Sequence, residues 1–256
     1  MALKEVVVMP SFARPEMLAL ALQRISEADS PPVDVRIYQD TSTEDRLKEV
    51  IFVRDKYLPR AVIYHLEPHV EVISGCYNIL KSIQAGYDFG SDLIWLIEED
   101  VMVKPRFFNW GREQIVTGQY LAACGRKDRR FYNLYPDLYT NPGSLLSRRL
   151  VEQLISHINS DYFSRLRGYL DEKLPPNWDE QSHLDDGLVR RVIRQMGGKV
   201  VYPETPVCAH QGFRAYNKLD LYMNYAESIE GKIERLREIL RTVKPTDRYT
   251  GDFDLF

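Results

Sequence analysis

Three consecutive carboxylates, Glu98, Glu99 and Asp100, directly follow five apolar residues at positions 93–97. A short apolar run bounded by charge is typical of a central strand in a buried parallel sheet. Side chains alternate along such a strand, so we expect Glu98 and Asp100 on one side and Glu99 on the other. Three acids at a buried rim repel one another, and desolvation adds to the cost. This predicts a bound cation, most naturally a hard divalent ion with oxygen ligands; the alternative is an ordinary acidic turn.

Two further polar loops follow predicted strands. The strand at 6–9 leads into a loop with Ser11 and Arg14, and the strand at 33–38 leads into a loop with Asp40. In open parallel sheets, ligands bind beyond the carboxyl ends of the strands. The two loops and the acidic triplet are therefore expected to meet at one edge of the sheet.

The spacing of apolar residues predicts the elements that position these loops. In the first half, strands at 6–9, 33–38, 61–66 and 93–97 alternate with helices at 16–28, 46–57, 75–87 and 105–117. The second half is less regular, with predicted strands at 120–125 and 199–202 and helices at 148–158, 183–196 and 217–242. Strands alternating with helices of this length indicate an α/β fold with a largely parallel sheet.

Composition excludes several classes of protein. The 256 residues, 44% hydrophobic and 28% charged, are those of an ordinary globular protein, and a net charge of -3 provides no global attraction for nucleic acid. The three cysteines, Cys76, Cys124 and Cys208, are far apart and form neither a metal motif nor a disulfide framework. No signal peptide and no run of ~20 apolar residues is seen, so we expect a cytoplasmic protein of a bacterium or a virus-infected cell.

The order of several segments resembles that of GT-A glycosyltransferases, which use nucleotide sugars and have an acidic metal motif after the fourth strand. Residues 6–15 are similar to the opening strand and loop, 38–45 to the Asp-Asp-Gly-Ser-Thr-Asp base loop, and 75–86 to the helix before the metal strand. Residues 96–108 resemble the Glu-Asp-Asp stretch of N-acetylglucosaminyltransferases, and 184–191 with the following His210 resemble the ending of family 2 enzymes. Three positions depart from the family pattern: Gln39, Tyr77 and Glu99.

The resemblance implies a domain organisation and a set of donor-binding residues. Residues 1–125 would form the nucleotide-sugar-binding half, 126–216 the acceptor-binding and catalytic half of the same domain, and 217–256 a C-terminal helix and tail. Asp100 and His210 would bind the metal, for which Mn²⁺ is favoured over Mg²⁺ because an imidazole suits manganese better. The donor nucleotide, with UDP favoured, would contact Pro10, Ser11, Arg14, Asp40, Gly75, Asn78, Glu98 and Glu99.

Asp185 and Asp186 are the candidates for the general base that an inverting transfer requires. The family spacing makes Asp185 the better match, with Asp186 orienting the substrate or Arg190. The alternative is a helix start enriched in acids to complement the helix dipole.

The acceptor is the least determined part of the prediction. Trp178 offers an aromatic platform for a sugar or a base, and Arg126, Arg129 and Arg130 belong to the one basic and aromatic cluster. Such a cluster suits either a glycan or small-molecule acceptor or a flipped hydroxymethylated base in phage-type DNA. Two other functions remain open: a nucleotidyltransferase, although the loop at 10–15 lacks the glycines it would need, and a non-catalytic nucleotide-sugar-binding protein.

Overall fold

The computed structural model describes residues 3–12, 14–40, 44–66, 74–126, 138–141, 143–176, 184–211 and 228–242. In this part of the chain, seven strands form one sheet in the order β3-β2-β1-β4-β7-β6-β8. The strands of this sheet are β1 (Glu5–Ser11), β2 (Asp34–Gln39), β3 (Val62–His65), β4 (Leu93–Leu96), β6 (Ala122–Cys124), β7 (Ser144–Ser147) and β8 (Val200–Val201).

Four strands of the sheet run in parallel and open on one edge. β1 pairs in parallel with β2 and β4, and β2 pairs in parallel with β3. β7 is antiparallel to both β4 and β6. The carboxyl ends of β1 to β4 therefore lie at one edge, which we call the carboxyl edge. The predicted α/β fold with a largely parallel sheet is confirmed.

A separate two-stranded ribbon lies at the carboxyl edge. It consists of β5 (Val101–Val103) and β9 (Cys208–His210), paired antiparallel so that Val101 lies opposite His210. This pairing joins residues more than 100 positions apart in the chain, and it brings the end of β9 next to the acidic triplet that precedes β5.

The helices cover both faces of the sheet. They are α1 (Pro15–Glu27), α2 (Glu44–Tyr57), α3 (Ser74–Asp88), α4 (Phe107–Ile115), α5 (Arg148–Ile155), α6 (Ser160–Arg165), α7 (Arg167–Lys173), α8 (Asp185–Gln195) and α9 (Ile229–Thr242). Residues of α1, α4 and α9 belong to one buried hydrophobic cluster, and residues of α3, α5, α6, α7 and α8 belong to a second. None of the helices in the described ranges has the length and hydrophobicity needed to cross a bilayer.

Comparison with the predicted elements shows where the sequence pattern failed. The four strand-helix units of the first half are present at nearly the predicted positions. β7 is absent from the predicted elements, because a four-residue strand has no periodicity of its own and is defined by its pairing with β4 and β6. The short helices α6 and α7 were also missed. The predicted helix at 217–242 is present over 229–242, and its first part lies outside the described residues.

Trp95 anchors α4 against the centre of the sheet. It is fully buried, and its ring centroid lies 5.1 Å from that of Phe107 and 4.9 Å from that of Phe108. Its indole Nε1 donates to Glu5 Oε2 at 3.0 Å. Gly111 faces the same ring, and a Cβ built there would lie 2.5 Å from Trp95 Cη2. The close approach of α4 to the sheet therefore requires a glycine at this position.

We expect Gly111→Ala to destabilise the protein by about 1–3 kcal/mol, because the added methyl group overpacks the core against a ring that cannot move. Gly168→Ala is the matched control, since a Cβ in this other helix would meet only Arg165 Cβ at 4.0 Å. The control should be neutral or stabilising by up to about 1 kcal/mol, as is usual for glycine in helices. Urea unfolding measures both values, and equal effects in the two variants would contradict this account.

Candidate active site

Two carboxylates and an imidazole converge at the carboxyl edge. Glu98, Asp100 and His210 each offer one ligand atom, and these atoms lie within 4.8 Å of one another. His210 Nε2 is 3.0 Å from Asp100 Oδ1. The β5–β9 ribbon produces this arrangement, because Asp100 immediately precedes β5 and His210 ends β9. Asp100 and His210 are the predicted metal ligands, and the structure adds Glu98, which was predicted to contact the donor nucleotide, to the same cluster.

The Asp100 carboxylate lies between the Arg14 guanidinium and the His210 imidazole. Burial by itself would raise its pKa, but His210 and Arg14 outweigh burial and lower the pKa to about 2. Arg14 Nη2 lies 3.1 Å from Asp100 Oδ2, the oxygen that does not face His210. Asp100 is thus an ionised, nearly buried anion, which is the state that a metal ligand requires.

Glu99 points the other way and supports the loop after β1. Its fully buried Oε2 accepts from Ser11 Oγ at 2.7 Å and from the backbone N–H of Phe12 at 2.9 Å. Its Oε1 accepts from Arg14 Nε at 2.5 Å. Burial raises the pKa of Glu99, and Arg14 and Ser11 oppose that rise. The predicted alternation of the triplet is therefore present. Glu99 contacts the loop after β1, and its predicted contact to a nucleotide stays a prediction.

Asn78 and Gln39 connect the ends of neighbouring strands. Asn78 is fully buried, and its Nδ2 donates to the carbonyls of Ser11 and Tyr38 at 3.2 and 3.1 Å. Gln39 Oε1 lies 3.0 Å from Ser11 Oγ. Asp40 is 5% exposed, and its backbone N–H donates to the Ser11 carbonyl at 2.9 Å. The structure thus gives Asn78 a role in joining β1 to β2, while Asp40 lies at the end of β2 as predicted.

Asp185 and Asp186 open α8 on the side of the site nearest α3. Asp185 is 7% exposed, and burial, followed by the charge of Asp186, raises its pKa to about 8. Asp186 Oδ2 accepts from Arg190 Nη2 at 2.9 Å. This contact is consistent with the prediction that Asp186 orients Arg190. The charge of Asp185 also helps to raise the pKa of Glu98, after burial and Asp100. Asp185 therefore lies close enough to Glu98 for the two charges to interact. Glu98, Asp100 and His210 together are called the metal cluster below.

The remaining predicted site residues have varied positions. Pro10 is buried within β1 opposite Tyr38, and Gly75 lies in the first turn of α3, where a Cβ would be 3.5 Å from the Phe12 ring. Arg126 follows β6 at its carboxyl end. Trp178, Arg129 and Arg130 lie outside the described residues, so the predicted acceptor cluster stays a prediction.

Most arginines of the second half that could extend a basic surface are already engaged. Arg165 pairs with Asp161 and Glu172, and Arg191 pairs with Asp171. Arg148, Arg167, Arg190 and Arg194 likewise contact Glu152, Asp171, Asp186 and the Pro176 carbonyl, respectively. Five of these six arginines are therefore paired with carboxylates in the described part of this half, which weakens the attraction that this surface would offer to a phosphate backbone.

The metal cluster fits a divalent cation of intermediate hardness. An ion with ligand distances of ~2.1–2.4 Å can contact atoms that lie within 4.8 Å of one another. Two carboxylate oxygens with one imidazole nitrogen suit Mn²⁺, and the oxygens also suit Mg²⁺. Arg14 on the far oxygen of Asp100 supplies the outer contact that commonly orients a ligating carboxylate.

Comparisons with known proteins identify the fold. No protein-family model matches the sequence, and neither does any curated protein. Among solved structures, the mannosyltransferase PcManGT from Pyrobaculum calidifontis, in complex with GDP-Man and Mn²⁺, matches with a TM-score of 0.58 at 13% identity, over 94% of this chain and 75% of that chain. Glucosyl-3-phosphoglycerate synthase from Mycobacterium tuberculosis matches with a TM-score of 0.52 at 15% identity, over 93% and 80% of the two chains. S. aureus TarS 1-349 matches with a TM-score of 0.53 at 12% identity, over 93% and 70%. The chain thus has the GT-A fold that its sequence resembles.

We expect Mn²⁺ to raise the melting temperature of the purified protein in a concentration-dependent manner, as mass action requires for a ligand of the folded state. Asp100→Asn should weaken this binding by at least about tenfold, because a central anionic ligand is lost. Glu113→Gln, which removes an exposed carboxylate on α4, is the control and should leave the metal response unchanged. An equal response in wild type and Asp100→Asn would place the metal elsewhere.

Proposed function

We propose that this protein is a metal-dependent glycosyltransferase that moves a sugar from a nucleoside-diphosphate donor to a hydroxyl acceptor. The observation that carries the proposal is the cluster of Glu98, Asp100 and His210 at the carboxyl edge of a GT-A sheet. This edge is where parallel α/β sheets bind nucleotides.

A divalent ion, when bound, supplies positive charge to the diphosphate as the sugar departs. Asp100 and His210 would hold the ion, and Glu98 would complete the set. Mn²⁺ is the favoured ion, because two carboxylate oxygens and one imidazole nitrogen are ligands that suit manganese. The mannosyltransferase with the same fold was solved with GDP-Man and Mn²⁺.

The donor nucleotide would lie over the loops after β1 and β2. Asp40 directly follows β2 and can accept from a base N–H. Arg14 lies beside Asp100, with Nη2 of its guanidinium 3.1 Å from Asp100 Oδ2. Glu99 would act indirectly. It accepts hydrogen bonds from Ser11, Phe12 and Arg14, and these contacts hold Arg14 in position. The resemblance favours UDP as the nucleotide, and the GDP-Man complex makes GDP the second donor to test.

Asp185 would act as the general base that deprotonates the acceptor hydroxyl in an inverting transfer. Its raised pKa of about 8 gives it the basicity that this role needs near neutral pH. Asp186, held by Arg190, would keep the start of α8 in place. The acceptor would be a glycan or another small hydroxyl compound, because Arg148, Arg165, Arg167, Arg190 and Arg191 in the described second half are paired with carboxylates. The cluster of Arg126, Arg129 and Arg130 stays the alternative site for a DNA acceptor.

A donor panel tests the proposal directly. With Mn²⁺ present, UDP-glucose, UDP-N-acetylglucosamine or GDP-mannose should raise the melting temperature, and the effect should disappear when the metal is removed by a chelator. Slow release of free sugar from the bound donor would show that the protein acts on it. A nucleotidyltransferase would instead respond to nucleoside triphosphates, and a response to these alone would overturn the proposal.

Asp185→Asn should retain donor binding but lower turnover by at least about a hundredfold, the usual scale of general-base catalysis. Wild-type turnover should rise with pH towards an inflection at or below about 8, since only the carboxylate can accept a proton. Unchanged turnover in the variant would favour a non-catalytic sugar-binding protein, and kinetics across the pH range measure both effects.

The same variant should alter stability in a pH-dependent way. The pKa of Asp185 is about 8 in the folded protein and ~4 in an unfolded chain, so ionisation disfavours the folded state as pH rises between these values. Asp185→Asn should therefore be more stable than wild type at pH 8, and the difference should shrink towards pH 4. Melting curves across this range check the sign.

A further inference from the structure

Gln211 is a fully buried amide that directly follows the metal-cluster residue His210. Within the described part of the chain, neither its Nε2 nor its Oε1 has a hydrogen-bond partner. A side-chain amide can donate two hydrogen bonds and accept two. All of this capacity is unused at a position that water does not reach in this structure.

The backbone of Gln211 fixes its place beside the metal cluster. Its N–H donates to the Asp100 carbonyl at 2.8 Å, which extends the β5–β9 ribbon by one residue beyond His210. Gln211 is therefore bonded through its main chain to one cluster residue and covalently linked to another.

Leaving a buried amide unpaired is costly. Each unsatisfied donor or acceptor costs about 1–3 kcal/mol of desolvation, and an apolar side chain of similar shape would avoid the cost. Buried polar groups without partners are few in native proteins, and they commonly mark a function or a bound group. The position of Gln211 indicates that a ligand entering beside the metal cluster satisfies its amide.

We propose that the Gln211 amide binds hydroxyl groups of the donor sugar and so contributes to the choice of sugar. The proposal rests on the proposed function, in which the cluster holds a diphosphate. The sugar and the ribose are both bonded directly to that diphosphate, and both bear hydroxyl groups. The comparison of nucleotide sugars with bare nucleotides below separates the two. A neutral amide, with donor and acceptor side by side, matches adjacent neutral hydroxyl groups, whereas phosphate oxygens would be matched by a cation.

The stability of Gln211→Met without metal or nucleotide tests whether the buried amide is unpaired in the free protein. Methionine has a similar length and no hydrogen-bonding demand, so the variant should melt about 2–4 °C above wild type. Gln153→Met is the matched control, because Gln153 is exposed on α5 and its amide is hydrated. The control should shift the melting temperature by less than about 1 °C. A Gln211→Met variant that melts below wild type, or fails to fold, would show that the amide is satisfied in the free protein and would overturn the proposal.

Calorimetric titration in the presence of Mn²⁺ tests whether the Gln211 amide binds the donor sugar. UDP and GDP are compared with UDP-glucose and GDP-mannose, so that the contribution of the sugar is separated from that of the nucleotide. Gln211→Met should bind the bare nucleotides within about twofold of wild type and bind the preferred nucleotide sugar at least about tenfold more weakly. Gln153→Met should match wild type for all four compounds.

The outcomes distinguish this proposal from the proposed function. If wild type binds none of the four compounds with Mn²⁺, the proposed function fails. If wild type binds a nucleotide sugar and Gln211→Met binds it equally well, only the role of Gln211 fails. An equal loss for sugar-bearing and bare nucleotides would also overturn that role, because it would show a general disturbance of the metal cluster.

Discussion

The ionised carboxylate of Asp100 is the constraint on which the rest of the site depends. A nearly buried anion at the end of a central strand is stable only if cationic or hydrogen-bonding groups lie against it. Arg14 contacts one of its oxygens and His210 lies against the other. These two groups come from opposite ends of the chain, so the requirement for charge compensation at one oxygen pair determines where both segments must lie.

The side chains of the acidic triplet point in two directions and make different contacts. Glu98 and Asp100 face His210, where a cation can be held. Glu99 faces the loop after β1 and accepts from its backbone and from Ser11 and Arg14. One strand end therefore supplies two of the three residues that could hold a metal ion and also supports the loop after β1. Arg14 contacts both Glu99 and Asp100, so a substitution of Glu99 is expected to disturb Asp100 as well.

The opposite electrostatic states of Asp100 and Asp185 allow them different roles. Both are carboxylic acids with little exposure, yet the pKa of Asp100 falls to about 2 and that of Asp185 rises to about 8. The difference arises from neighbours: Asp100 lies between an arginine and a histidine, whereas Asp185 is next to Asp186. A permanently ionised acid can hold a metal, and an acid that titrates near neutrality can exchange a proton.

The local pattern of the sequence was sufficient for the α/β class, the first four strand-helix units and the alternation of the triplet, because these depend on side-chain periodicity over a few residues. The pairing of Asp100 with His210 was predicted from family resemblance and is present in the structure. Periodicity could not reveal β7 or the β5–β9 ribbon, since strands of three or four residues exist through hydrogen bonds to distant partners. Nor could it show that Glu98 joins the cluster, that Asn78 hydrogen-bonds to two strands, or that the buried Gln211 amide has no partner among the described residues. Those facts depend on which distant groups surround a side chain, and only the tertiary structure decides them.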